Sequence, residues 1–196
     1  MDIKTILNRT KNLIANPDSE FEVIKNEQTT NGQLLGSCVL PYVIAIAIAE
    51  FLGKIIFGYG SSFSGMIFKI IISFGLNVAS IYIFAFIMQL LAPTFGGDKN
   101  NPNYFKLSAY ILIPGFLANI VSGLIPALSF VELFGLYGLY LFWIGAVKLA
   151  GIPENGRVGF VLLSILIMIA VYALLVFILF SLFFASFLGA GMAAVM

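Results

Sequence analysis

Histidine is absent from the 196 residues, which removes the commonest general base, the commonest metal ligand and the usual near-neutral pH switch. A single cysteine, Cys38, sits in an apolar run. With no second thiol in the chain, it excludes a disulfide framework and a cysteine metal site. Charge is equally scarce: Lys, Arg, Asp and Glu make up 10% of the chain, against 61% hydrophobic residues, and the net charge is +1. Ordinary soluble domains carry about 25% charged residues, so these few charges cannot cover a water-exposed surface. The small net charge also excludes a broad basic face for nucleic acid. No phosphate loop follows a strand, no nucleophile stands beside a base and no metal-ligand spacing occurs, so the expectation is of a protein that is not an enzyme, with no catalytic residue, metal or cofactor. The mean hydropathy of +1.06 makes lipid the solvent.

Long apolar runs take the place of what is missing. They predict an all-α fold, a polytopic membrane bundle of five transmembrane helices with a short amphipathic N-terminal segment. Residues 1–33 form that segment and 34–188 the membrane domain, with spans at about 34–57, 66–91, 107–125, 129–149 and 158–184. The 24 residues of the first span reach roughly 36 Å at about 1.5 Å each. Turn-rich stretches at 58–65, 93–106, 125–129 and 150–157 separate the spans, and a small-residue tail follows the last. The first run begins too late and is too long for a signal-peptide core, so the N terminus is expected to be retained.

Ahead of the first span, Ile3, Ile6, Leu7, Leu13 and Ile14 share a helical stripe, suiting a helix in the headgroup layer or one packed on protein. A second helix starts either at Asn16-Pro17 or at a Ser19-x-x-Glu22 capping box, its Phe21 and Ile24 facing membrane or partner, and Glu27 to Gln33 reads as a linker. Eight of the ten basic residues, Lys4, Arg9, Lys11, Lys25, Lys99, Lys106, Lys148 and Arg157, fall on one side of this topology. That side is expected to be cytoplasmic, with the C terminus outside. Lys54 and Lys69 flank the opposite loop.

Intramembrane polar residues supply the candidate site. Glu50 lies inside the first span and Lys54 one turn later, with Lys69 entering from the second span at similar depth. These three form either a local ion pair or a functional acid facing a polar cavity. Glu132 follows Ser129 at capping-box spacing at the start of span four. Asn77, Gln89 and Asn119 are expected to hydrogen-bond between helices. Gly115, Asn119 and Gly123 in span three, with Gly135, Gly138 and Gly145 in span four, predict a tight hairpin. Pro114 predicts a kink that frees the carbonyl of Tyr110.

Several strings occur in order along the chain: Asn16-Pro17-x-x-Glu20-Phe21-x-x-Ile24-x-x-Glu27, Pro41-Tyr42, Leu91-Ala92-Pro93-Thr94-Phe95-Gly96-Gly97, Ala109-Tyr110-x-x-x-Pro114 and Gly135-Leu136-Tyr137-Gly138-Leu139-Tyr140. With them the chain resembles the bacterial branch of the Yip (Ypt-interacting protein) domain family. The resemblance implies five transmembrane helices with a cytosolic N terminus, and in eukaryotic relatives self-association and binding of Rab-type GTPases. A bacterial member has no Rab machinery to engage, so architecture and a habit of partnering carry over. Tyr110, Pro114, Tyr137 and Tyr140 are the residues it points to, as packing or partner residues. The sequence therefore predicts a multispan membrane protein in the bacterial cytoplasmic membrane that acts as a membrane-organising or partner-binding scaffold. Its expected partners are the lipid bilayer, further copies of itself or other membrane proteins. The alternative is a small transporter or channel subunit using Glu50, Lys54 and Lys69.

Overall fold

A computed structural model describes residues 3–58 and 63–193. Within these the protein is helical, without strands, and five helices are long and apolar enough to cross a membrane: Asn31–Phe57, Ile67–Phe95, Asn103–Leu124, Pro126–Lys148 and Glu154–Ile178. Two shorter helices precede them, α1 (Ile3–Ala15) and α2 (Pro17–Asn26). The residues 59–62 of the expected first loop, and the end of the expected tail at 194–196, lie outside the described residues.

α2 starts at the Asn16-Pro17 signal, with Pro17 in its first turn, while Ser19 donates back to the Asn16 carbonyl and forms no capping box with Glu22. A capping box does form at Thr30 and Gln33, inside the stretch expected to be a linker. The Thr30 hydroxyl accepts from the Gln33 N–H at 3.2 Å, and the Gln33 side chain accepts from the Thr30 N–H at 3.1 Å. It opens α3 (Asn31–Leu34), which runs through one wide π turn (Leu35–Val39) into α4 (Leu40–Phe57). Gly58, at φ 62°, ends α4 in the left-handed conformation that a Cβ would disfavour.

α5 (Phe63–Leu91) is continued by a 3-10 turn (Ala92–Phe95). The third span is two helices, α6 (Asn103–Ile111) and α7 (Ile113–Leu124), broken at Leu112, with Pro114 in the first turn of α7. The expected kink is thus a break that puts Pro114 where its missing N–H costs least. The fourth span opens as a 3-10 stretch (Pro126–Leu136) and becomes α-helical at α8 (Tyr137–Lys148). Neither Ser129 nor Glu132 caps it, because the element starts three residues earlier at Pro126 and makes no side-chain cap. α9 (Glu154–Ala193) is the longest element, and Asn101 fastens the preceding hinge by donating to the carbonyls of Leu149 and Ala150 at 2.9 Å each.

Small residues let the third and fourth spans approach closely as the expected hairpin, and let the third span cross α4 closely as well. Gly123 of α7 faces α4: a Cβ on Gly53 would stand 2.0 Å from the Gly123 carbonyl oxygen. Gly138 meets the Ile111 carbonyl at the break in the third span, and Gly145 faces Leu107 and Phe21. Gly135 packs on Gly115, so all three glycines of the fourth span face the third, as the hairpin reading expected. The buried core runs from α1 and α2 through α4 to α9, with Phe21, Ile24, Leu13, Tyr110, Phe142 and Phe160 fully enclosed.

Candidate functional site

Two polar clusters occupy opposite ends of the bundle. The first was not legible as a site in the sequence. α1 carries Ile6, Thr10 and Leu13 on its inner face, and these are buried against the bundle, whereas Leu7 of the expected stripe points outward at 59% exposure. The helix is therefore packed on protein. α2 buries Phe21 and Ile24 beneath it, towards the bundle and away from lipid. Full burial of such a side chain is worth about 1.5–3 kcal/mol.

Between the two helices lies Arg9. Its Nε stands 3.2 Å from Glu20 Oε1, one terminal nitrogen donates to Glu27 Oε2 at 2.7 Å and to the Tyr110 hydroxyl at 2.9 Å, and the other pairs with Glu27 Oε1. The guanidinium fork thus takes two carboxylates and a phenol at once, a geometry Lys cannot reproduce. Hydrogen bonding to Glu27 raises the Arg9 pKa further above its already high ordinary value. The same bond from Arg9 is the largest influence holding the Glu27 carboxyl below its usual range. Lys106 donates to the carbonyls of Ile24 (3.0 Å) and Glu27 (2.6 Å), the last turn of α2 and its cap. Its cation thus sits where helix-end carbonyls carry partial negative charge. Thr10 bonds to Tyr42, and the Tyr137 hydroxyl donates to the Ile14 carbonyl at 2.7 Å. On the rim, Lys148 pairs with Glu22 at 3.0 Å and lowers its pKa.

The second cluster holds the residues the sequence singled out. Glu50, Lys54 and Lys69 line one cavity of about 380 Å³, together with Asn119, Ser129 and Glu132. Ser73 donates to Glu50 Oε1 at 3.4 Å, while Glu50 Oε2 is buried without a hydrogen-bond partner among the described residues. Asn77 donates to the Ser73 carbonyl at 2.8 Å, so its amide bonds within its own helix instead of between helices. A second cavity of about 310 Å³ shares Lys69 and Asn119 with the first and continues along Ser73, Asn77 and Ser80 to Tyr172 of α9.

Gln89 is half-buried on α5, well away from this cavity, and Tyr140 is half-exposed on α8. Tyr110 and Tyr137 belong to the Arg9 end, and Pro114 is buried at the break below it. The two clusters are separated by apolar layers. Along α4 the order is Tyr42, Ile46, Glu50, and along the third span it is Tyr110, then Ile113 and Phe116, then Asn119; Ile46, Ile113 and Phe116 are all buried.

The strings spread through the chain converge here: Glu20, Phe21, Ile24 and Glu27 of the first, Tyr42 of the second and Tyr110 of the fourth meet around Arg9. No curated protein and no solved structure matches the chain. The family model described as Yip1 domain matches residues 11–178, most of its length. With five membrane-spanning helices and that match, this multi-pass membrane protein belongs to the Yip1 domain family.

Proposed function

We propose that the protein is a non-enzymatic membrane-organising scaffold whose partner-binding face is the platform formed by α1 and α2, cytoplasmic in a bacterial inner membrane. The observation that carries this reading is the Arg9 clamp. Ordering two amphipathic helices costs conformational entropy, and here a buried fork of hydrogen bonds and two fully buried side chains, Phe21 and Ile24, offset it. The result is a fixed outward surface that presents Leu7 and Val23 at 59% and 51% exposure. A rigid surface binds with less ordering cost than a flexible one.

A photo-crosslinking amino acid placed at Leu7 or Val23 tests this in cells. Discrete adducts are expected at both positions and none at Leu13, which is 0% exposed. Failure of Leu7 and Val23 to give any adduct sinks the reading. The conduit alternative draws support from the cavity at Glu50, but the buried layer of Ile46, Ile113 and Phe116 separates that cavity from the Arg9 end. Reconstituted liposomes are expected to show no ion or solute flux above protein-free vesicles; a flux abolished by Glu50→Gln would favour the conduit instead.

A further inference from the structure

The cavity at the end of the bundle away from α1 and α2 has a composition that the scaffold reading does not use. Two carboxylates, Glu50 and Glu132, and two ammonium groups, Lys54 and Lys69, line one space of about 380 Å³. That is within the range of about 300–1,000 Å³ typical of small-molecule sites. Glu50 stands seven residues before the end of α4 and Lys69 six residues after the start of α5. At about 1.5 Å per residue both lie roughly 10 Å in from their helix ends, near the depth where headgroups meet acyl chains. The rim is apolar: Phe130 and Leu133, beside Ser129 and Glu132, are 65% and 68% exposed, and Ile55 and Phe68, beside Lys54 and Lys69, are 60% and 55% exposed. A charged space with such a rim opens towards lipid.

We propose that this cavity binds the headgroup of a zwitterionic aminophospholipid such as phosphatidylethanolamine. The phosphodiester lies against Lys54 and Lys69, and the ammonium against Glu50 and Glu132. The two ammonium groups and two carboxylates sum to zero, so a headgroup carrying both signs keeps the site neutral, whereas an anionic headgroup without an ammonium leaves one negative charge in excess in a low-dielectric setting. Glu50 Oε2, buried without a hydrogen-bond partner among the described residues, marks a place for a donor. Continuity supports a lipid over a soluble phosphate. From Lys69 the groove follows Ser73, Asn77 and Ser80 of α5 to Tyr172. One turn further along α5 and α9, Phe84 and Ile169 open an apolar pocket of about 170 Å³ that also takes in Leu112, Phe142 and Met168. Head, linkage and chain thus each meet a matching wall. This site is independent of the α1 and α2 platform.

Photoactivatable phosphatidylethanolamine and phosphatidylglycerol, each presented to the purified protein in nanodiscs, provide the test. Wild-type protein is expected to take up the ethanolamine lipid at least fivefold more than the glycerol lipid, with adducts on α5 and α9. Lys69→Gln should lower labelling by both lipids, Glu132→Gln should bring the ethanolamine lipid down to the glycerol level, and Leu166→Ala, on the exposed face of α9, should change neither. Should Glu50→Gln fail to fold, Glu132→Gln still decides, because Glu132 is exposed and held in no cap or ion pair among the described residues. Equal labelling of wild type by the two lipids, or labelling indifferent to Lys69→Gln and Glu132→Gln, overturns the proposal. Displacement by millimolar phosphoethanolamine would assign the cavity to a soluble ligand and also overturn it.

Discussion

At the scale of single residues, Arg9 decides whether the N-terminal helices stay attached. Its side chain is 11% exposed and that of its partner Glu20 is 8% exposed, so removing the cation leaves carboxylates in a place that water reaches poorly. Breaking such a buried pair costs about 3–5 kcal/mol. Arg9→Met is expected to lower the thermal midpoint in detergent by several degrees, and Arg9→Lys to recover only part of the loss because it cannot serve Glu20, Glu27 and Tyr110 together. Cys38 gives a second readout. It is 2% exposed at the start of the first span, in the same buried core as Leu13, Phe21 and Tyr110. Wild-type protein should resist maleimide at this thiol while Arg9→Met reacts. Equal resistance in both proteins would show that the clamp does not hold α1 and α2 in place. The same contact sets a pH dependence. Glu27 titrates lower in the folded protein than in the unfolded chain, so its contribution is present above the ordinary glutamate pKa and is lost as pH falls through the depressed value. Weaker amide protection in α1 and α2, taken relative to the intrinsic exchange rate at each pH, is therefore expected as pH falls below the ordinary glutamate range, and Glu27→Gln should flatten that profile.

At the scale of elements, the spans were legible because length and hydropathy are local properties, whereas their ends depended on which neighbour won a hydrogen bond. Ser129 and Glu132 have capping-box spacing, yet Pro126 starts its element earlier and leaves both at the cavity. Thr30 and Gln33 have the same type of spacing inside a polar stretch and do cap. Pro114 was readable as a disturbance, but its place in the first turn of a new helix was not, nor was the close packing of Gly138 on the Ile111 carbonyl at that break. The cavity residues Glu50, Lys54 and Lys69 could be grouped by depth alone. The Arg9 cluster could not, since Arg9 and Tyr110 are 101 positions apart. The strings that carry Glu20, Glu27 and Tyr110 hinted at it, but nothing in them tied these residues to Arg9. Glycine substitutions separate close packing from mere helix weakening. At Gly53 a Cβ would meet the Gly123 and Leu124 carbonyl oxygens at 2.0 and 2.9 Å, while at Gly75 it meets nothing within 4 Å. Gly53→Ala is expected to destabilise by about 1–3 kcal/mol, the range for overpacking. Gly75→Ala should be neutral or stabilising by up to about 1 kcal/mol. Similar thermal shifts for the two variants would mean that the α4 and α7 crossing is looser than its geometry.

At the scale of the whole molecule, charge and architecture make one joint statement. Lys106 binds the end of α2, Lys148 pairs with Glu22 of the same helix, and Arg157 lies 4.2 Å from the ring centre of Trp143, one turn from the end of α8. Of the basic residues expected to share a side, Lys106 and Lys148 thus hold α2 from the bundle, while Lys54 and Lys69 line the cavity at the other end. Basic residues near helix ends are retained on the cytoplasmic side during insertion, so the clamped end is expected inside and the cavity in the outer half of the bilayer. Five spans, an odd number, then put the two ends of the chain on opposite sides. Alkaline phosphatase fused after Met196 should be active, and a fluorescent protein that matures only in the cytoplasm should be bright when fused before Met1. The reverse pair of results would invert the molecule and place the α1 and α2 platform outside. Two bright fluorescent fusions would instead require an even number of crossings, against the five long apolar helices. Orientation is separable from folding here, because neutralising Lys4, Lys11 and Lys25 removes charge that takes no part in the Arg9 cluster. The substituted protein should keep the Cys38 thiol protected while showing a mixed orientation in the phosphatase assay, which would identify the positive charge, rather than the clamp, as the determinant of topology.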